Sequence, residues 1–247
     1  MARSKKHSKN RLGSIFGITA ALLLAGLAVY AGIYMERNTQ INAIEFTGNV
    51  FTDEETLAGA IESPIGLMAD SLRFDQIFDD LKALPYVDDV NVKMSIRGKL
   101  TFHISEHEPI AMLIEGPNRA YVSEGGIRLP VMPGAIQNVP LVHGFTAQPI
   151  ADTLNSAAYR QVDQFLRAAK TNKIGWITIS EVTWNNREGV VALTHENGVR
   201  LVFGNDDFYQ KMKHWQAFYT DVVARKGIQS FSTIDLRFRD QIVTRNL

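Results

Sequence analysis

Cysteine is absent from the 247 residues, which leaves no thiols for a disulfide-stapled secreted miniprotein or a structural zinc module. An excess of charge of either sign is also absent, with 26 basic and 26 acidic side chains. That balance hides an asymmetry. Arg3, Lys5, Lys6, Lys9 and Arg11 precede the first acidic residue, Glu36, and without them 21 basic residues face 26 acidic ones, a balance of −5. A broad nucleic-acid surface is therefore not expected on the body of the chain. No G-x-S-x-G elbow, Walker loop or dinucleotide-binding G-x-G-x-x-G occurs, and there are no internal repeats. An apolar content of 45% is too high for a disordered chain, and the length allows one large or two small folded units.

What the sequence does have first is an uncharged run, Leu12 to Met35. As a helix these residues would reach roughly 36 Å, enough to cross a hydrocarbon core of about 30 Å with some tilt. The run is too long for the apolar region of a cleaved signal peptide, although Val29 and Ala31 could form a poor cleavage pair. The five cations before it predict a cytoplasmic tail over 1–11, a single transmembrane helix over 12–35 and everything later on the outer side. Absence of cysteine is compatible with an oxidising periplasm.

From Ile41 to Glu106 the pattern predicts strand, helix, helix, strand, strand. Gly48-Asn49 closes the first strand, and Thr52 with Glu55 matches a capping box, so the first helix is expected to start at Thr52. Phe74, Ile77, Phe78, Leu81 and Leu84 form one apolar stripe, and Pro85 stops it. Val90, Val92 and Met94, then Leu100, Phe102 and Ile104, alternate on either side of a turn near Gly98, predicting a hairpin.

Beyond Pro109 the texture changes. A Pro/Gly-rich loop is expected over Leu129 to Gly144, then a helix capped by Asp152. Three strands are expected at Ile174–Trp184, Val190–Thr194 and Val199–Phe203, the last two joined by the hairpin dipeptide Asn197-Gly198. A helix near Asp206 carries Phe208, Met212, Trp215, Tyr219 and Val222 on one face as core, and Gly227 ends it. The last strand sets Ile234, Leu236 and Phe238 against Thr233, Asp235 and Arg237.

One catalytic pattern needs weighing. His103-Ile104-Ser105-Glu106-His107 spells the H-x-x-E-H of a zinc-protease class, which works only on a helix. The alternation around it says strand, where the two histidines would stand about 13 Å apart. The pairs Asp79-Asp80 and Asp206-Asp207 read as helix-terminal charges, since adjacent residues point apart on a helix. No active site, metal or cofactor is expected.

The order of these parts resembles the bacterial FtsQ/DivIB cell-division family. INAIEFTGNVFTDEETLAGAI, followed by LPYVDDVNVKMSIRGKLTFHISEHEPIAML, looks like that family's POTRA domain, with Leu100, Glu106, Pro109 and Ala111 on its recurring pattern. The family usually has Trp-Pro in the turn before that strand; this chain has Ile96-Arg97. STIDLRF at Ser232–Phe238 is similar to the family's closing segment.

The resemblance implies an α+β protein: a tail over 1–11, the transmembrane helix 12–35, a POTRA domain over 36–107, a sheet-rich β domain with flanking helices over 108–240 and a C-terminal tail over 241–247. It implies a non-enzymatic divisome scaffold in the bacterial inner membrane at the septum, with its C-terminus in the periplasm. FtsB and FtsL are the implied partners, with other divisome proteins. The partner-binding residues it implies are Thr233, Asp235, Arg237, Phe238, Arg239, Asp240 and Gln241, at an exposed sheet edge to which FtsB adds a strand. The competing expectation is a membrane-anchored transport or outer-membrane assembly factor built on the same POTRA unit.

Overall fold

The computed structural model describes residues 17–30, 39–132, 134 and 136–246. The expected basic tail, residues 12–16 and 31–35 of the expected membrane span, and Leu247 lie outside them. Residues 17–30 form helix α1, with every side chain exposed. Among the described residues no helix is long and apolar enough to cross a membrane. The remaining chain packs as two compact units.

The first unit is built from the expected order: β1 (Ala43–Thr47), α2 (Glu54–Ala60), α3 (Phe74–Lys82), β2 (Val87–Met94) and β3 (Lys99–Glu106). A single 3-10 turn, Ala69–Ser71, separates the helices. The strands form one sheet in the order β1-β3-β2, with β1 parallel to β3. Leu57, Ile77 and Leu81 from the helices and Phe46, Val90, Leu100, Phe102 and Ile104 from the sheet are buried, so both apolar periodicities face the same core. The capping box is corrected: α2 is capped by Asp53, whose carboxylate accepts from Thr56 N at 2.7 Å. Thr52 lies one residue too early. Its own N–H donates to Glu106 at 2.8 Å, within the bend over residues 50–52 that precedes the cap.

The second unit takes in residues 50–52 and 82–88 and everything from Ser105 onward. Its centre is a nine-stranded sheet. β4 (Pro109–Glu115), β5 (Asn118–Ser123) and β6 (Arg128–Leu129) occupy one end. Then come β7 (Leu141–His143), β8 (Ile179–Asn185) and the hairpin β9 (Gly189–Thr194) with β10 (Arg200–Gly204). β11 (Phe231–Asp235) and β12 (Val243–Asn246) complete the other end. Asn197 and Gly198 both have positive φ, 58° and 57°, as a tight hairpin turn requires.

Helices α4 (Ala157–Lys170), α5 (Lys173–Thr178) and α6 (Phe208–Phe218) pack together, with α4 against β4, β8 and β9 and α5 against β8. Phe165 meets Phe203 of β10 and Phe208 of α6 at ring separations of 4.7 and 5.8 Å. Trp215 is fully buried and its indole N–H donates to Thr178 Oγ1 at 2.9 Å. The stripe of Phe208, Met212 and Trp215 is core, as its spacing implies. A π-helical stretch, Tyr219–Val223, follows α6, and Gly227 at φ 80° ends the helical run. A smaller cluster gathers Tyr86, Tyr121 and Leu129, with Phe51 stacked on Tyr86 at 4.9 Å. Burial there pushes the Tyr86 hydroxyl up to about 12, and it donates to Pro130 O.

Three further expectations change. The cap of α4 is Ser156, accepting from Tyr159 N, not Asp152. Asp152 instead accepts Arg128 N with its carbonyl and Thr153 N with its own carboxylate, because residues 151–154 run along β6. The strand expected from Ile174 begins only at Ile179. Asn172 caps Gly175 N and starts α5 despite the β-branched residues that follow. Within the expected loop 129–144, Leu141–His143 forms β7, parallel to both β4 and β8.

Candidate partner-binding edge

The two ends of the large sheet are built differently. At β6 the backbone is occupied: Arg128 N donates to Asp152 O, Ala151 N donates to Arg128 O, and Ile127 bridges Thr153. At β12 no further described strand pairs on the outer side. An edge strand offers a row of backbone donors and acceptors to any extended chain.

β12 is held in place by β11. The register is antiparallel, with Thr233 opposite Arg245, Ile234 opposite Thr244 and Asp235 opposite Val243. β11 in turn lies parallel to β10, with Leu201 beside Ile234. Phe231, Ile234 and Leu236 are buried while Ser232, Thr233 and Asp235 are half-buried, so the expected facing is seen as far as Leu236. Ser232 Oγ donates to the carbonyl of Arg245 at 3.1 Å and further ties the pair.

The strand that carries Thr233 and Asp235 is therefore interior, and the expectation that it is the last strand, standing at the edge, is corrected. The chain turns out of β11 because the Asp235 carboxylate accepts from Arg237 N at 3.1 Å and from its guanidinium at 2.6–3.1 Å. Such a side-chain turn ends strand geometry. Burial raises the Asp235 carboxyl, but the hydrogen bonds and charge of Arg237 outweigh it and hold the group below its ordinary value. Phe238, expected on the buried face, is 45% exposed, since alternation stops with the strand.

Arg237, Phe238, Arg239, Asp240 and Gln241 thus lie in the connection between β11 and β12 and are all exposed. They belong beside the edge rather than on it. The connection runs along α6. With Lys211 and His214, Phe238 and Arg239 line a hollow of about 410 Å³, and with Phe218 and Val222, Gln241 and Ile242 line a second of about 300 Å³. Lys211 is buried yet charged-paired, its Nζ 2.5 Å from Asp206. That contact, with its charge, holds the Asp206 carboxyl low. Asp207 occupies the N-cap position of α6 in a left-handed conformation, φ 50°, with no side-chain cap. Arg239 approaches it at 3.8 Å.

Residues 241–247, read from sequence as a tail, contain the edge strand itself. Its signal was three consecutive β-branched residues, Ile242, Val243 and Thr244. The H-x-x-E-H pattern lies on β3 and just past it, as its alternation implies. His103 Nδ1 is 2.8 Å from Thr47 Oγ1, while His107 lies 3.7 Å from Asp88.

A family model described as FtsQ/DivIB, C-terminal related, matches residues 108–245, more than half of the chain. The chain belongs to the FtsQ/DivIB family. Relatives named cell division protein FtsQ align over most of its length. That of Salinibacter ruber is 22% identical over 236 residues, covering 92% of this chain and 91% of its own. That of Rhodothermus marinus is 25% identical over 240 residues, covering 91% and 85%. The solved major extracytoplasmic domain of DivIB from Geobacillus stearothermophilus is 17% identical and covers 49% of this chain and 98% of its own. Its TM-score of 0.33 is too low to carry a comparison of folds. As a member of FtsQ/DivIB, the chain is a cell-division protein.

Proposed function

We propose that this FtsQ/DivIB-family chain is a non-enzymatic, single-pass inner-membrane scaffold of the division septum, which takes a strand of FtsB onto β12 and so gathers FtsB and FtsL. The observation that carries this reading is the contrast between a covered β6 end and an unpaired β12 end of one sheet. Strand addition draws its affinity from main-chain hydrogen bonds and its specificity from alternate side chains. Val243 and Arg245, both exposed, are the alternate side chains available for that purpose.

For the membrane reading, support comes from the sequence between Leu12 and Met35 and from α1. Leu22, Leu23, Leu24 and Leu27 are between 64% and 75% exposed on that helix. A helix apolar all round is at home in a hydrophobic surround. With five cations ahead of it, the N-terminus is cytoplasmic and the two compact units periplasmic. The first unit, with its strand-helix-helix-strand-strand order, is read as the family's POTRA domain.

The test uses proline. Adjacent N–H groups of an antiparallel strand point to opposite sides, so of Val243→Pro and Thr244→Pro one removes an outward donor. That variant is expected to lose FtsB capture from detergent-solubilised membranes while keeping its circular-dichroism spectrum. Arg239→Ala is expected to weaken capture only modestly. Normal capture by both folded proline variants would move the partner site off the edge.

A further inference from the structure

Residues 39–42 are where the first unit takes up the chain arriving from the apolar run, and they are gripped from two sides. On one side Ala69 N donates to Thr39 O at 3.0 Å, Ile41 N to Leu67 O at 2.9 Å and Gly66 N to Ile41 O at 2.7 Å. On the other, Asn42 N donates to Gly98 O at 2.9 Å and Asn42 Nδ2 to Arg97 O at 2.5 Å. Gly98 has φ +80°, and a Cβ there would run into the carbonyl of Gln40, so the hairpin tip sits against the entering chain only because it is glycine. The loop 65–68 and the tip 95–98 therefore flank the entry point.

Both carry apolar side chains into solvent. Ile96 is 86% exposed, Ile65 52%, Leu67 46% and Met68 38%. Single exposed apolar residues need no explanation, but four gathered around one short segment mark a contact surface. Charge beside them is balanced, with exposed Arg97 next to Ile96 and exposed Asp70 two residues after Met68.

We infer that this cluster is a foot that rests in the bilayer, placing Ile96, Ile65 and Leu67 at the boundary between headgroups and acyl chains. The inference rests on the reading of residues 12–35 as a membrane span. Chain length selects lipid as the occupant. The uncharged run ends at Met35 and Thr39 is already bonded into the fold. Four steps of extended chain cover at most about 14 Å, so the entry point cannot stand farther than that from the end of the span. With Arg97 set against Asp70 and Lys99 paired with Glu45 at 3.0 Å, the contact is apolar burial rather than attraction to anionic headgroups.

The absence of cysteine makes the test direct. The full-length protein is reconstituted into phosphatidylcholine vesicles with Ile96→Cys carrying an environment-sensitive fluorophore, and separately with Glu54→Cys. Glu54 begins α2 beyond the far end of β1, about 13 Å or more along the strand direction from the entry. The label at 96 is expected to shift to the blue and to be quenched several-fold more than that at 54 by lipids bearing a shallow nitroxide. Adding phosphatidylglycerol is expected to leave this unchanged, and Leu67→Asp to reduce it while circular dichroism stays the same.

A chain that alkaline carbonate strips from the vesicles overturns the spanning reading and the foot with it. A chain that stays embedded with an unquenched label at 96 overturns the foot alone. Quenching that grows strongly with phosphatidylglycerol would assign the contact to Arg97 and overturn apolar insertion.

Discussion

A single carboxylate, that of Glu106, receives the backbone N–H groups of Val50, Phe51 and Thr52 at 2.5, 2.7 and 2.8 Å. Three successive donors aimed at one anion form strong, charge-assisted bonds, and they fix the turn that carries Phe51 onto Tyr86. Replacing Glu106 with Ala is expected to cost on the order of 2 kcal/mol in chemical denaturation, because charged hydrogen bonds are lost and donors are stranded. Glu106→Gln should recover part of it. Nothing in spacing or periodicity pointed to this role; Glu106 stood out in the sequence through the H-x-x-E-H spelling and the family pattern, neither of which implies it, and its partners lie more than fifty positions away. Asp235 is a second case. Its carboxyl is held below the ordinary value, so it contributes stability that is present above the unfolded pKa of about 3.9 and is lost as pH falls through the lower folded value. An Asp235→Asn variant is therefore expected to be less stable than the parent at neutral pH. The two denaturation curves should converge once the pH has dropped through that window.

Elements were legible where a segment's own pattern matched its environment. The stripe Ile77 and Leu81, the alternation of Leu100, Phe102 and Ile104, and the Asn197-Gly198 turn all state locally what the fold uses. β7 has only three residues between Pro140 and Gly144, too few for any period to show, and it becomes a strand because β4 and β8 flank it. α5 failed the other way. Ile174, Trp176 and Ile177 have strand propensity, yet Asn172 caps a helix and Thr178 accepts the Trp215 indole N–H. That bond joins α5 to α6 in the core. Trp215→Ala is expected to cost about 3–5 kcal/mol by loss of a large buried side chain, measured by denaturant titration. Trp215→Phe should fill most of the space but take the indole donor from Thr178, whose hydroxyl keeps its own bond to Ile174 O, giving an intermediate loss. The edge strand escaped notice for a related reason: it is short, lies at the chain's end, and follows a bend in which Asp235 and Arg237 break the alternation.

At the scale of the whole chain, the α+β class and the sheet-rich second unit followed from the sequence, whereas the order of nine strands did not. Three of its pairings are parallel and link segments distant in sequence, and hydrophobic pattern carries no information about which strand lies beside which. On the proposed strand addition, that order also bears on stoichiometry. With residues 151–154 already bonded along β6, the sheet is polar in the sense that, among the described residues, its open end lies past β12. This sheet therefore has one open end for an incoming strand. A second copy that paired its own β12 there would occupy the same donors and acceptors, so on that reading self-pairing and partner capture exclude each other. Whatever strand is added becomes the new margin of the sheet, and the responsibility for stopping further growth passes to the partner.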